Sequence, residues 1–163
     1  MEANHCKPDF GILGAKYVPR ALYDNGHVDL AYKMLTQPEF PGWVYWLEQG
    51  ATTLWENWNG AQSHNHICFG DISAWMYHYL AGIATDPENP GFKHVLIKPH
   101  PVSDLEWVRA EHIAHAGKIV STWKQSCGRF TLEIEIPHNT TATVILPDSS
   151  RHEVCSGKHH LTV

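Results

Sequence analysis

The stretch TDPENPGF, residues 85–92, decides how the chain is divided, because prolines, a glycine and an asparagine end one periodicity there and a different one follows. Upstream, the apolar spacing is helical. In GDISAWMYHYLAGI the side chains Ile72, Trp75, Met76, Tyr79, Leu80 and Ile83 fall on one helical face, with Asp71 placed as an N-cap and Gly82 near the end. HVDLAYKMLTQ gathers Val28, Ala31, Met34 and Leu35 on one side, and Pro38 and Pro41 stop it. The segment from GILGAKYV to RALYDNG is helical at both ends but holds Pro19, whose missing N–H and ring clash cost a helix about 3 kcal/mol, so a kink or break is expected near Val18.

Downstream the period becomes two. HVLIKP, LEWVRAEHI, GKIVSTWKQ, RFTLEIEIP and TATVILP are short, rich in β-branched and aromatic residues, and separated by turn formers. In FTLEIEI the residues Phe130, Leu132, Ile134 and Ile136 face one side, with Thr131, Glu133 and Glu135 on the other. The expectation is helices over residues 1–88 followed by an antiparallel β-sandwich over 89–163, an α+β arrangement in two segregated parts.

The chain has 163 residues and a formal net charge of -5. No cluster of Lys and Arg could neutralise a phosphate backbone, which argues against nucleic acid as a partner. No apolar run approaches the roughly 20 residues that span a bilayer, and the first residues carry no secretory pattern, so a soluble, cytoplasmic or periplasmic chain is expected without a membrane partner. Cys6, Cys68, Cys127 and Cys155 are too scattered for a zinc knuckle and read as free thiols.

Chemistry concentrates in GWVYWLEQGATTLWENWNGAQSHNH, residues 42–66. Trp43, Trp46, Trp55 and Trp58 could stack on sugar rings, Glu48 and Glu56 could move protons, and Asn and Gln amides could bind hydroxyls; together these are the parts of a glycosidase subsite. The same tryptophans could equally be packing residues, and the acids solvated or capping ones. His64 and His66 form an H-x-H pair without further ligands at a recognisable spacing, so neither a metal nor another cofactor is expected.

The motifs GILGAKYV, LYDNGHVDLAYKMLTQ, GWVYWLEQGATTLWENWNG, SHNHICFGDISAWMYHYLAGI, FKHVLIKPHP and IPHNTTATVILP, in this order, resemble the C-terminal part of bacterial α-L-rhamnosidases, a large inverting glycoside hydrolase family. The resemblance implies the last helices of an (α/α)6 barrel followed by a C-terminal β-sandwich. It places the general base on Glu56 of TTLWE and the rhamnose-contacting histidine on His66. Glu48 would support the loop that presents Glu56, and Trp55, Trp58 and Trp46 would surround the sugar. The family's general acid has no counterpart here, so the chain would supply only the base. A rhamnose-containing glycan is the implied ligand, and an incomplete barrel would leave an apolar face through which the chain self-associates. The alternative is a non-catalytic carbohydrate-binding or structural fragment, in which the tryptophan cluster or the sandwich holds a glycan without cleaving it.

Overall fold

The structure, a computed structural model, describes residues 5–163 and divides into two compact units, Met1–Trp75 and Met76–Val163. In the first unit α1 spans Ile12–Asp24, α2 Val28–Thr36, α3 Trp43–Glu48 and α4 Asp71–Trp75, with a 3-10 turn at Ile67–Phe69 before α4. Ala15 and Pro19 of α1 are buried, as are Ala31, Met34 and Leu35 of α2, so the apolar stripe read for α2 is the one that packs. The turn between these helices uses Gly26 at φ +80, where a side chain would be strained, and its N–H returns to the Tyr23 carbonyl at 2.9 Å.

Two sequence expectations are corrected here. Of the kink or break expected near Val18, the break is absent: helix α1 runs through Pro19 to Asp24. Tertiary contacts outweigh the local penalty: Pro19 is buried, its carbonyl accepts from Trp75 Nε1 at 3.1 Å, and Arg20 pairs with both carboxylate oxygens of Asp71 at 3.1 and 2.9 Å. Asp71 is therefore the first residue of α4 and an ion-pair partner rather than an N-cap.

The second unit opens on a wide π turn, Met76–Leu80, closed by Ala81 N–H to Met76 O at 3.0 Å. The helix read as far as Ile83 stops there, because Gly82 adopts φ +76 and sends Ile83 into a strand. The eight strands are β1 Ile83–Thr85, β2 His94–Ile97, β3 Trp107–Ala114, β4 Gly117–Ser126, β5 Arg129–Ile136, β6 Thr141–Ile145, β7 Arg151–Val154 and β8 Gly157–Thr162. They form two four-stranded sheets, ordered β1-β2-β6-β7 and β3-β4-β5-β8.

TDPENPGF is the turn joining β1 to β2, and the expected boundary at residue 88 lies inside it. Within that turn Asp86 accepts from Asn89 Nδ2 at 2.8 Å and from Glu88 N–H at 3.0 Å, and these bonds, the Asn89 one foremost, hold its carboxyl below the usual aspartate range.

The strand pairings are antiparallel except for β2 with β6, which is parallel. After β2 the chain crosses to build β3, β4 and β5 in the other sheet and then re-enters beside β2, so β6 arrives in the same direction. The core between the sheets is formed by Ile83, Val95, Ile97, Ile119, Trp123, Ala142 and Val144 together with the inward face of β5, which is the Phe130, Leu132, Ile134 and Ile136 set read from the sequence. Trp123 has no exposed surface, and its indole N–H donates to Leu80 O at 2.6 Å. Ser121, equally buried, donates to Ala81 O at 2.7 Å. Both bonds satisfy carbonyls that the break at Gly82 leaves without helical partners.

Candidate active site

Glu56 and His66 both sit on the loop between α3 and the 3-10 turn, which backbone hydrogen bonds draw closed. His66 N–H donates to Leu54 O at 2.9 Å and Glu56 N–H donates to Ser63 O at 2.8 Å; Thr53 Oγ1 adds a bond to His64 O. Inside it, Gly60 N–H returns to Asn57 O at 3.0 Å and Ala61 N–H to the Asn59 side chain at 3.1 Å. Gly60 adopts φ +68, and a Cβ there would stand 2.8 Å from the Trp55 ring. The position needs glycine twice over.

The Glu56 carboxylate is half-buried and accepts one hydrogen bond, at Oε2 from Ser63 N–H at 3.3 Å. Its other oxygen has no hydrogen-bond partner among the described residues. A carboxylate with one oxygen held by a backbone amide and the other unoccupied is oriented, yet still able to accept a proton. His66 is also half-buried; its Nδ1 accepts from Cys68 N–H at 3.2 Å, which puts the ring proton on Nε2, and Nε2 stands 3.7 Å from Cys68 Sγ. Thiol sulfur is a weak acceptor, so a hydroxyl oxygen could replace it as the partner of that N–H.

The tryptophans are brought together, but mainly with one another. Trp46 is 2% exposed and Trp55 9%, and their ring centroids lie 5.8 Å apart. Trp46 donates its indole N–H to Trp58 O at 2.9 Å, and Trp58 donates its own to Phe10 O at 2.8 Å. Trp58 stands edge-on to Trp43 at 4.9 Å and lies against Phe69 at 4.2 Å. These rings frame the loop from within. Glu48 ends α3 and is exposed. A cavity of about 360 Å³ opens on one side of this cluster, lined by Trp55 with Tyr45, Gln49, Thr53, Asn59 and His64 among others; Glu56, His66, Trp46 and Trp58 are not among its lining residues.

Sequence reasoning gave His64 no role beyond the H-x-H pair. Its ring stacks flat on Trp55 at 4.3 Å and 12°, and its Nε2–H donates to Gly60 O at 2.9 Å. The aromatic-then-glycine spacing of Trp55 and Gly60 was the available signal, but stacking across a loop has no periodicity to reveal it. Among the described residues no group of three or more His, Cys, Asp or Glu side chains could hold a metal ion.

Residues 1–80 match the family described as the bacterial alpha-L-rhamnosidase 6 hairpin glycosidase domain, and residues 82–161 match the bacterial alpha-L-rhamnosidase C-terminal domain. An alpha-L-rhamnosidase of Streptomyces avermitilis is 34% identical over 193 aligned residues, covering 100% of this chain and 18% of the relative. One from Formosa agariphila is 35% identical, over 88% of this chain and 16% of the relative. Among solved structures, the S. avermitilis alpha-L-rhamnosidase complexed with L-rhamnose superposes with a TM-score of 0.91 at 34% identity, over 99% of this chain and 18% of that one. The alpha-L-rhamnosidase from Dictyoglumus thermophilum gives 0.90 at 29% identity, over 96% of this chain and 21% of that one. The chain thus spans about a fifth or less of the length of these relatives.

Proposed function

The chain belongs to the bacterial alpha-L-rhamnosidase family, and from that premise we propose that it is part of a glycoside hydrolase that cleaves terminal α-L-rhamnosides with inversion, with Glu56 as the general base. The observation that carries this reading is the Glu56 carboxylate, anchored at one oxygen by Ser63 N–H and unengaged at the other. In an inverting reaction the free oxygen takes a proton from water as that water attacks the anomeric carbon. The general acid, about 6.5–9.5 Å away across the sugar, protonates the departing oxygen. That acid lies outside these residues. His66 Nε2–H donates to a hydroxyl of an L-rhamnose such as the one bound in the Streptomyces relative, while Trp46, Trp55 and Trp58 pack together and hold the loop.

The 163-residue chain alone should hydrolyse p-nitrophenyl α-L-rhamnoside no faster than buffer does. Joined behind the upstream part of the Streptomyces relative it should turn over, and Glu56→Gln in that chimera should lower kcat by about 10²–10⁴-fold, the usual worth of one acid–base group. Substantial turnover by the isolated chain would remove the missing-acid argument. An active chimera indifferent to Glu56→Gln would remove the base.

Self-association belongs to the same proposal, with the exposed apolar side chains of the first unit as the surface. Trp75 and Leu80 of the Ile72–Ile83 segment are buried, whereas Leu13, Tyr17 and Ile67 of the first unit are 72%, 58% and 82% exposed. Ile12, Leu13 and Ile67 line a groove there of about 440 Å³. Apolar surface of this kind drives association. Light scattering behind size exclusion should report a mass that rises with concentration, and Leu13→Ser with Ile67→Ser should suppress the rise; a concentration-independent monomer would contradict it.

A further inference from the structure

The outward face of the β3-β4-β5-β8 sheet has no part in the chemistry above. Strand alternation turns Val108, Ala110, Ile119, Trp123, Leu132 and Ile134 toward the core, which leaves Trp107, Arg109 and Glu111 of β3 on the other side with Lys118, Thr122 and Lys124 of β4. Arg129, Glu133 and Glu135 of β5 and Lys158 and His160 of β8 also lie on this face, as do Ile113, Val120 and Thr131. A concavity of about 460 Å³ lies over the part of it bordered by Arg109, Thr122, Glu133 and His160, and Trp107 and Lys124 stand outside its lining.

Charge and aromaticity are unevenly placed. Arg109, Lys118, Lys124, Arg129 and Lys158 are five of the chain's 12 Lys and Arg residues, facing only Glu111, Glu133 and Glu135, so this face is positive on a chain whose net charge is -5. Arg109 and Lys118 are both engaged by Glu111, and Lys158 lies near Glu135. Lys124 and Arg129 pair with no carboxylate among the described residues. Lys124 stands directly across the strands from Trp107, whose indole is 60% exposed on an edge strand. Side chains directly opposite in an antiparallel pair have Cβ atoms about 4.5–5.5 Å apart, so ring and ammonium can contact one ligand together.

We propose that this face binds an acidic oligosaccharide, with the Trp107 indole stacked on a pyranose ring and Lys124 paired with a sugar carboxylate. An exposed indole offers an apolar plane that suits the C–H face of a sugar, and the carboxylate and hydroxyl side chains of the neighbouring rows, Glu133 and Thr122 among them, match its hydroxyls. The site is built wholly from the second unit and needs nothing from Glu56, so its failure would leave the hydrolase reading untouched, and the reverse holds too.

Titration calorimetry with trigalacturonate and with its carboxyl-reduced, neutral counterpart tests the assignment. The chain should bind trigalacturonate at millimolar concentration or below, more weakly as salt is raised, and should prefer it clearly to the neutral sugar. Trp107→Ala and Lys124→Glu, both at exposed side chains, should each weaken binding about tenfold or more. In NMR spectra the Trp107 indole N–H should shift on addition of the sugar. Absence of binding, equal binding of the two sugars, or affinity left unchanged by either substitution overturns the proposal.

Discussion

Replacing Trp123 by alanine is expected to remove about 4 kcal/mol from the stability of the β-sandwich unit, read as a lower urea midpoint with an unchanged slope. The side chain has no exposed surface, packs among Ile83, Val95, Ile119 and Leu132, and sits 6.0 Å from the Phe130 ring. Alanine leaves a cavity walled by two β-sheets, which cannot close on it without breaking their ladders. It also strands Leu80 O, which now accepts the indole N–H at 2.6 Å. Trp123→Phe separates the two effects. It keeps most of the volume and should cost about 1–3 kcal/mol, mainly for the unpaired carbonyl. Since domains of this size are typically stable by only about 5–15 kcal/mol, the alanine variant approaches the limit of folding. A loss under about 2 kcal/mol would show that the sandwich collapses around the gap, contrary to the packing described.

Gly82→Ala should be the most damaging small change in the chain. At φ +76 an L side chain costs about 1–2 kcal/mol by itself. The added Cβ would also stand 2.2 Å from Pro99 N and 2.3 Å from Lys98 C, both backbone atoms that cannot swing aside. Relieving that overlap means moving the end of β2 and giving up Lys98 N–H to Gly82 O, now 2.9 Å. Adding these gives a destabilisation of at least about 3 kcal/mol, with amide exchange accelerating first at Ile83 and Ile97, which pair across β1 and β2. Gly91→Ala is the control: its φ is +78 but its Cβ would meet nothing, so only the backbone strain remains. Equal losses in the two variants would refute the clash argument.

That same glycine marks where the sequence stopped being legible. Leu80 and Ile83 continue a helical spacing, and nothing in their identity announces that the backbone between them turns left-handed and delivers Ile83 to a sheet. The strands with buried alternation, β5 above all, were readable because one face is uniformly apolar. Strands β7 and β8 were not, since RHEV and GKHHLT carry charged or polar residues on both faces. Both lie at sheet edges, where polar residues are tolerated and pairing comes from the backbone rather than from burial. Pro19 illustrates the converse: a local rule was read properly, and a buried indole and an ion pair outweighed it.

In the candidate site the residue types were legible and the division of labour among the rings was not. Composition could not distinguish a tryptophan that walls a cavity, as Trp55 does, from one whose N–H is spent on a neighbouring carbonyl, as with Trp46 and Trp58. The grip on Glu56 was equally invisible, because it comes from main-chain groups.

That grip has a bearing on heredity. The Ser63 hydroxyl is occupied with Asn65 N–H, at 3.2 Å, so what steadies the acid is the peptide hydrogen of residue 63 and nothing of its side chain. Descendants of this gene can therefore exchange serine for many other amino acids without disturbing the acid's aim. Proline alone, which has no such hydrogen to offer, would be weeded out.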